Sequence, residues 1–306
     1  MTALLLTPVA RLRRRVVRPV ARRLAPGSPL ATSPLSGRTV LITGASSGIG
    51  EATAYAAARR GAHVVLVARR ADELERVAEQ VRADGGSAAA YAVDLTDLEA
   101  IGDLVERVLV ERGPVHYLVN NAGRSIRRSL ALSYDRMHDF ERTMAINYFA
   151  PVRLVLGLLP AMRAQGFGHV VNVGTWGSQV KAPKYTAYIA SKTALDIFSR
   201  IAGREAWDDD VTFTNVRFAL VRTAMVAPTE AYAKLPALSA EQAARKVVHA
   251  LEDRPLTVNT VPGAVAEVVN LVAPRLSDFL FAASDRRFPD SAAARGDVGG
   301  LRQSRQ

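Results

Sequence analysis

The chain predicts an α/β fold, a doubly wound parallel sheet with helices on both faces. Three observations lead there. From Arg38 onward, short apolar runs rich in β-branched residues alternate with amphipathic stretches of helical period. That alternation implies right-handed crossovers between parallel strands. The first strand runs into a glycine-rich turn, Thr43-Gly44-Ala45-Ser46-Ser47-Gly48-Ile49-Gly50, that opens a helix. Finally, Asp94, Asn120 to Gly123 and Thr175 each stand where a strand ends, which is where such sheets bind ligands.

Each element follows from local pattern. Thr39-Val40-Leu41-Ile42 reads as a buried strand, and Gly50 to Arg60 as a helix. Val64-Val65-Leu66-Val67 is the second strand, followed by a helix over Glu73 to Ala83. Ala89 to Val93 is the third, with a helix from Leu98 to Glu111. Tyr117-Leu118-Val119 is the fourth, with helices around Phe140 to Ala164. His169 to Val173 is the fifth and leads to a helix holding Tyr188; Val211 to Arg217 is the sixth. Val261 to Ala283 forms a largely apolar amphipathic segment, fit to cover a cleft, pair subunits or touch membrane.

Composition bounds the chemistry. The 306 residues can bury a sizeable core. Cysteine is absent, which excludes disulfides, thiolate catalysis and Cys-based zinc sites. The five histidines show no ligand spacing, so no metal is expected. The net charge of +11 is concentrated at the start: Arg11, Arg13, Arg14, Arg15, Arg18, Arg22 and Arg23 precede the first acid, Glu51. As a helix, that segment sets Leu5, Val9, Leu12, Val16, Val17 and Val20 against an arginine face, although Pro8 and Pro19 would bend it. An arm lying on an anionic membrane surface through residues 1–25 fits this pattern. A targeting peptide and a solvated basic tail are the rivals. Nucleic acid is not expected, because aromatic interleaving and reader motifs are missing. We expect residues 1–37 to form the basic arm and 38–250 the doubly wound α/β domain. Residues 251–290 would be its helical extension, and 291–306 a mobile polar tail. A cytoplasmic location is expected, peripheral on the inner membrane face if the arm binds, with a homo-oligomer as an option.

The glycine loop has a physical role of Rossmann type. Gly44 permits the tight turn, Gly48 lets a pyrophosphate approach the backbone, and Gly50 lets the helix pack on the strand. Ser46, Ser47 and Ile49 complete the loop, and the helix N-terminus offers N–H groups to phosphates. After the second strand an NAD enzyme usually carries an acid; here stands Ala68-Arg69-Arg70. Guanidinium groups suit a 2′-phosphate, so NADPH/NADP is the expected cofactor, with Arg69 its principal contact.

Tyr188 and Lys192 lie four apart on a helix, hence on one face. An ammonium held beside a phenol favours phenolate and would lower the tyrosine pKa toward working pH. A dinucleotide loop and a Tyr/Lys pair in one chain point to hydride transfer coupled to proton transfer.

From Arg38 to about Lys246 these motifs together resemble the short-chain dehydrogenase/reductase family. Gly44 to Gly50 is similar to its Gly-x-x-x-Gly-x-Gly loop, and Asn120-Asn121-Ala122-Gly123 to its Asn-Asn-Ala-Gly motif. Asn147 is similar to its catalytic-helix asparagine, and Tyr188 with Lys192 to its Tyr-x-x-x-Lys pair. The resemblance implies that Tyr188 is the general acid in carbonyl reduction. Lys192 would lower its pKa and hold the nicotinamide ribose, while Asn147 supports a proton-relay water. It also implies Asp94 near the adenine, Asn121 or Ala122 near its ribose, Gly123 in the same wall, and Val221 and Thr223 near the carboxamide.

Two positions depart from the family pattern. The catalytic serine, thirteen residues before the tyrosine, is Thr175 here; Ser178 is off register. The Pro-Gly pair after the sixth strand is replaced by Phe218-Ala219. A narrower resemblance rests on Asn120 to Ser129, Val221 to Thr229, Leu235 to Ser239 and Arg287-Phe288-Pro289-Asp290-Ser291. These are similar to bacterial reductase domains acting on fatty acyl-CoA or fatty aldehydes, which implies a lipid-like substrate. Trp176, Tyr185, Phe218, Met225 and Val226 would line the pocket or, alternatively, pack the core. The alternatives are a steroid or other small-molecule alcohol dehydrogenase of the same family, or a catalytically silent NADPH-binding module. A membrane-associated structural protein would not need the Tyr/Lys pair.

Overall fold

The computed structural model describes residues 33–226, 235–286, 289–290 and 292–295. The basic arm up to residue 32 lies outside them, as do most of the expected polar tail and Arg287, Phe288 and Ser291 of the C-terminal motif.

The described chain runs β1 (Thr39–Thr43), α1 (Gly48–Ala58), β2 (His63–Ala68), α2 (Ala71–Ala83), β3 (Ser87–Ala92), α3 (Leu98–Arg112) and β4 (Tyr117–Asn120). Next come α4 (Met137–Met144), a π-helical turn Ala145–Phe149, α5 (Ala150–Ala164), β5 (Gly168–Thr175) and α6 (Gly177–Val180). Then follow α7 (Thr186–Glu205), β6 (Val211–Phe218), α8 (Ala240–Asp253), β7 (Thr257–Val258), α9 (Val261–Val272), α10 (Pro274–Asp285) and α11 (Ala292–Arg295).

The strands form one parallel seven-stranded sheet in the order β3-β2-β1-β4-β5-β6-β7. Six of them are the runs predicted above. The seventh, two residues long, is too short to carry a period. The side-chain period of two sends alternate residues to opposite cores. Val40 and Ile42 enter the layer with α1, α2 and α8, where Ala54, Val77 and Val247 are buried. Leu41 enters the layer with α3 and α5, where Ile101, Leu104, Leu154 and Leu158 are buried. Helix starts are chosen by side chains: Asp97 accepts from the N–H groups of Glu99 and Ala100, and Ser239 and Gln242 form a reciprocal capping box.

Met137–Ala164 is continuous helix and meets the length and composition of a membrane-crossing segment. Leu154, Val155, Leu158 and Met162 instead bury its inner face against the sheet. The apolar segment after Val261 is two helices broken at Ala273-Pro274, since proline cannot continue the hydrogen-bond ladder behind it. Strand order reverses between β1 and β4, so a crevice opens at their carboxyl ends.

Candidate active site

The crevice at that reversal is a cavity of ≈ 840 Å³. Its wall brings together Gly44, Ser46, Ser47, Gly48, Ile49, Arg69, Asp94, Asn121, Ala122, Gly123, Thr175, Tyr188, Lys192, Val221 and Thr223. Gly50 and Asn147 support it from behind. Phe218, Met225 and Val226 also line it, whereas Trp176 and Tyr185 do not. The reason is local: Trp176 lies beyond the end of β5, where its N–H bonds the Phe218 carbonyl. Tyr185 precedes α7 and stacks edgewise on the Tyr188 ring, 6.3 Å between centroids.

The glycine loop has the conformation its sequence requires. Gly44 and Gly48 take φ of 64° and 60°, a region open to glycine at little cost. A side chain on Gly50 would place Cβ 2.2 Å from the Gly44 carbonyl oxygen, so only glycine lets α1 start this close to β1. Ser47 caps α1 without a side-chain hydrogen bond, which leaves first-turn N–H groups for a ligand. These features fit a dinucleotide's phosphates.

Thr43 and Asn121 hold the loop against β4. The Thr43 hydroxyl accepts from the N–H groups of Asn121 and Ala122, both at 3.0 Å, and donates to the Val119 carbonyl. The Asn121 amide donates to the carbonyls of Thr43 and Gly44 at 2.9 and 3.3 Å. Its side chain therefore braces the loop, and Ala122 and Gly123 line the cavity beside it. The bracing role of Thr43 is not legible in the loop motif because it depends on a strand 76 residues away.

After β2, Arg69 is 73% exposed and lies 3.9 Å from Asp94. Arg70 also lines the cavity and donates to the Ser46 hydroxyl at 3.3 Å. Sequence alone favoured Arg69; the fold points both guanidinium groups at the same corner. Asp94 is held below the usual carboxylate range, chiefly by the Thr96 backbone N–H and also by its hydroxyl and by Arg69.

At the other end, β5 delivers Thr175 and α7 delivers Tyr188 and Lys192. The Thr175 hydroxyl is buried, accepts from the Gly177 N–H at 3.0 Å and acts on the Tyr188 phenol to lower its pKa. The Ser178 hydroxyl donates to the Thr175 carbonyl at 2.8 Å and takes no part in that contact. Lys192 is buried, and its ammonium donates to the Val173 carbonyl at 2.8 Å. Here the geometry departs from expectation. Burial pushes the Tyr188 phenol up to about 12, opposed only by the Thr175 hydrogen bond. Lys192 is turned to a carbonyl, and burial pushes its ammonium down to about 8.

Asn147 sits in the π-helical turn, completely buried. Its amide accepts from the Arg124 N–H and donates to the Arg124 carbonyl, both at 2.9 Å, and donates to Ser191 Oγ at 3.0 Å. The extra residue in the turn aims this side chain inward, a frequent use of π geometry at functional sites. Asn147 thus clamps Gly123 and Arg124 to the helix of Tyr188 and Lys192. No metal-ligand cluster occurs among the described residues.

A model of the short chain dehydrogenase family matches residues 38–233. An uncharacterized oxidoreductase of Mycobacterium tuberculosis is 47% identical over 86% of this chain and 78% of its own length. A fatty acyl-CoA reductase of Acinetobacter baylyi is 44% identical over 86% of this chain and 89% of its own length. Among solved structures, a 3-oxoacyl (acyl-carrier-protein) reductase of Agrobacterium tumefaciens with NADP bound superposes with a TM-score of 0.69. It is 28% identical over 77% of this chain and 97% of that one. Sheet order, glycine loop and Tyr/Lys helix thus coincide with a family match over most of the chain, and the protein belongs to the short chain dehydrogenase family of oxidoreductases.

Proposed function

We propose that the protein is an NADPH-dependent reductase of a lipid carbonyl: a fatty acyl-CoA, a fatty aldehyde or a keto-lipid. The observation that carries this reading is the shared cavity of glycine loop, Arg69/Arg70 and the Thr175–Tyr188–Lys192 group, with Phe218, Met225 and Val226 as apolar lining. Kinship to a fatty acyl-CoA reductase along most of both chains supports it.

NADPH bound along the loop supplies the hydride. The first turn of α1 and the loop N–H groups hold its diphosphate, and Arg69 with Arg70 its 2′-phosphate. Ala122 and Gly123 back the adenosine ribose, Asp94 and Thr96 the adenine, and Val221 and Thr223 the carboxamide end. Thr175 donates its hydroxyl hydrogen bond to the substrate oxygen. Tyr188 gives that oxygen its proton, which yields an alcohol from an aldehyde or ketone and, from an acyl-CoA, a hemithioacetal whose C–S bond breaks to release CoA thiol and the aldehyde; at a pKa near 12 the phenol is protonated at working pH. Lys192 offers charge to the nicotinamide ribose and to the phenolate left behind. Asn147 keeps the strand end and α7 in register and supports a water that replaces the proton. Residues 1–25 add reversible contact with an anionic membrane on its cytoplasmic face.

The test is NADPH oxidation with long-chain acyl-CoAs, long-chain aldehydes, 3-keto lipids, steroids and sugars, for wild type and Tyr188→Phe. Wild type turns over a lipid carbonyl. Tyr188→Phe keeps NADPH affinity and loses about 10²–10⁴-fold in turnover, the usual share of a positioned acid. Thr175→Ala loses less, and Thr175→Ser is tolerated. Turnover confined to steroids or sugars overturns the substrate class, and undiminished turnover by Tyr188→Phe overturns the mechanism.

A further inference from the structure

Helices α9 and α10 are amphipathic the wrong way round for an ordinary surface helix. Their inward contacts are small or polar: Gly263 against Gln179, Asn270 donating to the Gln179 carbonyl at 2.8 Å, Ser277 donating to Asn270 at 2.7 Å. Their outward residues are apolar. On α9, Val261, Val265, Val268 and Val272 recur at helical spacing, with Leu271 beside them. On α10, Leu276, Phe279 and Leu280 do the same. Exposure reaches 84% at Leu271, 79% at Val261, 77% at Val272 and 70% at Phe279. Side chains of this size and exposure present roughly 1,000 Å² of apolar surface, against about 300–600 Å² for the largest patch on a typical monomer.

The charges around this surface select among occupants. Lys181, Arg275 and Arg286 are exposed at its edges. Of the acids, Asp285 is paired with Lys184, Glu267 shares the Arg217 guanidinium with Asp196, and Asp278 is exposed, so the cations, Lys184 and Arg217 included, outnumber the acids. The face is therefore net basic. Two copies laid together would oppose like charges, whereas an anionic surface complements them. Each helix has 12 residues, about 18 Å of length, short of the ~30 Å hydrocarbon layer. An apolar stripe of that length with basic flanks lies flat in a membrane interface.

We propose that the α9–α10 face docks on an anionic lipid bilayer. The docked face adjoins the catalytic segment. Helix α9 packs on α6, which directly follows Thr175 and Trp176, and Asp285 at the end of α10 holds Lys184, four residues before Tyr188. On the lipid-carbonyl reading, the site thereby stands beside the phase that dissolves its substrate. The docking itself does not depend on that reading.

The experiment uses the full chain without substrate. Sedimentation with phosphatidylcholine vesicles and with phosphatidylcholine–phosphatidylglycerol vesicles is measured for three proteins. These are wild type, Val268→Glu/Phe279→Glu, and an arm variant with Arg11, Arg14, Arg15 and Arg18 changed to Gln. Mass by light scattering and NADPH affinity accompany each. Wild type partitions to the anionic vesicles. The face variant binds at least about tenfold more weakly, as expected when two large apolar side chains no longer enter the interface. Its mass and NADPH affinity are unchanged. The proposal is overturned if wild type does not bind, or if the arm variant alone loses binding. It is also overturned if the face variant changes a dimer to a monomer, which would make the surface a self-interface. Vesicle binding with no turnover of any lipid carbonyl would leave the docking standing and remove the substrate reading.

Discussion

Arg217 of β6 and Asp196 of α7 form a salt bridge of 2.5 Å, largely shielded from solvent and one helical turn beyond Lys192. The same guanidinium reaches Glu267 of α9 at 3.4 Å. One cation thus ties the helix of Tyr188 and Lys192 to the sheet and to the C-terminal helices.

Removing one partner of such a pair leaves the other uncompensated. Arg217→Met should destabilise the fold by about 3–5 kcal/mol, while Arg217→Met/Asp196→Leu should cost distinctly less, because the shielded acid is gone and the Glu267 carboxylate left behind is half exposed to water. Urea unfolding of the wild type, the two singles and the double closes the cycle. A double variant as unstable as the sum of the singles would show that the pair is not a unit.

The pH dependence turns on Lys192. Burial lowers its ammonium from 10.5 to about 8, so the group loses its charge as pH rises through about 8. Turnover at low substrate, kcat/KM, should fall across that same range in the free enzyme. Stability moves the other way. Between about 8 and 10.5 the unfolded chain binds this proton and the folded chain does not, so the Lys192 contribution to stability rises with pH there. NMR titration of labelled lysine, assigned with Lys192→Arg, should give a midpoint near about 8. A midpoint at the ordinary 10.5 would refute the assignment.

Arg69→Ala should raise the NADPH dissociation constant about tenfold and leave NADH binding unchanged, the lower end for a charge-assisted contact because the side chain is exposed. Arg70→Ala should weaken NADPH binding as well, with an added loss for both cofactors, because it also releases Ser46 in the loop. Calorimetric titration of both cofactors separates the two effects. Equal wild-type affinity for NADPH and NADH would sink the 2′-phosphate reading.

Gly50→Ala should cost about 1–3 kcal/mol by overpacking, since its Cβ would meet the Gly44 oxygen at 2.2 Å and the Asn121 amide at 2.6 Å. The loop and its brace move together, so NADPH affinity should fall at least as steeply as stability. Thermal melts with and without cofactor measure both, and a variant with normal NADPH binding would contradict this close approach.

Much was legible along the chain because it is written in local patterns. Strand runs such as Val64 to Val67 and helix periods such as Leu98 to Glu111 repeat within a few residues. The Gly44–Gly48–Gly50 and Tyr188–Lys192 spacings likewise carry their geometry with them. The fold class and the crevice at the strand ends follow from those alone. Other features depend on groups far apart in sequence. Thr43 acts through Asn121 and Ala122, Asn147 through Arg124 and Ser191, and Arg217 through Asp196 and Glu267. No local period encodes such pairs.

Tertiary structure also decided the electrostatics. A helix spacing of four residues put Lys192 beside Tyr188, but packing turned the ammonium to the Val173 carbonyl and desolvated the half-buried phenol, so the pKa shifts follow desolvation instead of the pairing that spacing suggested. The apolar residues of Val261 to Ala283 were plain in the sequence. Which way they face was not, because a helical stripe specifies a side and only the docking of Gly263, Asn270 and Ser277 against the body specifies its direction.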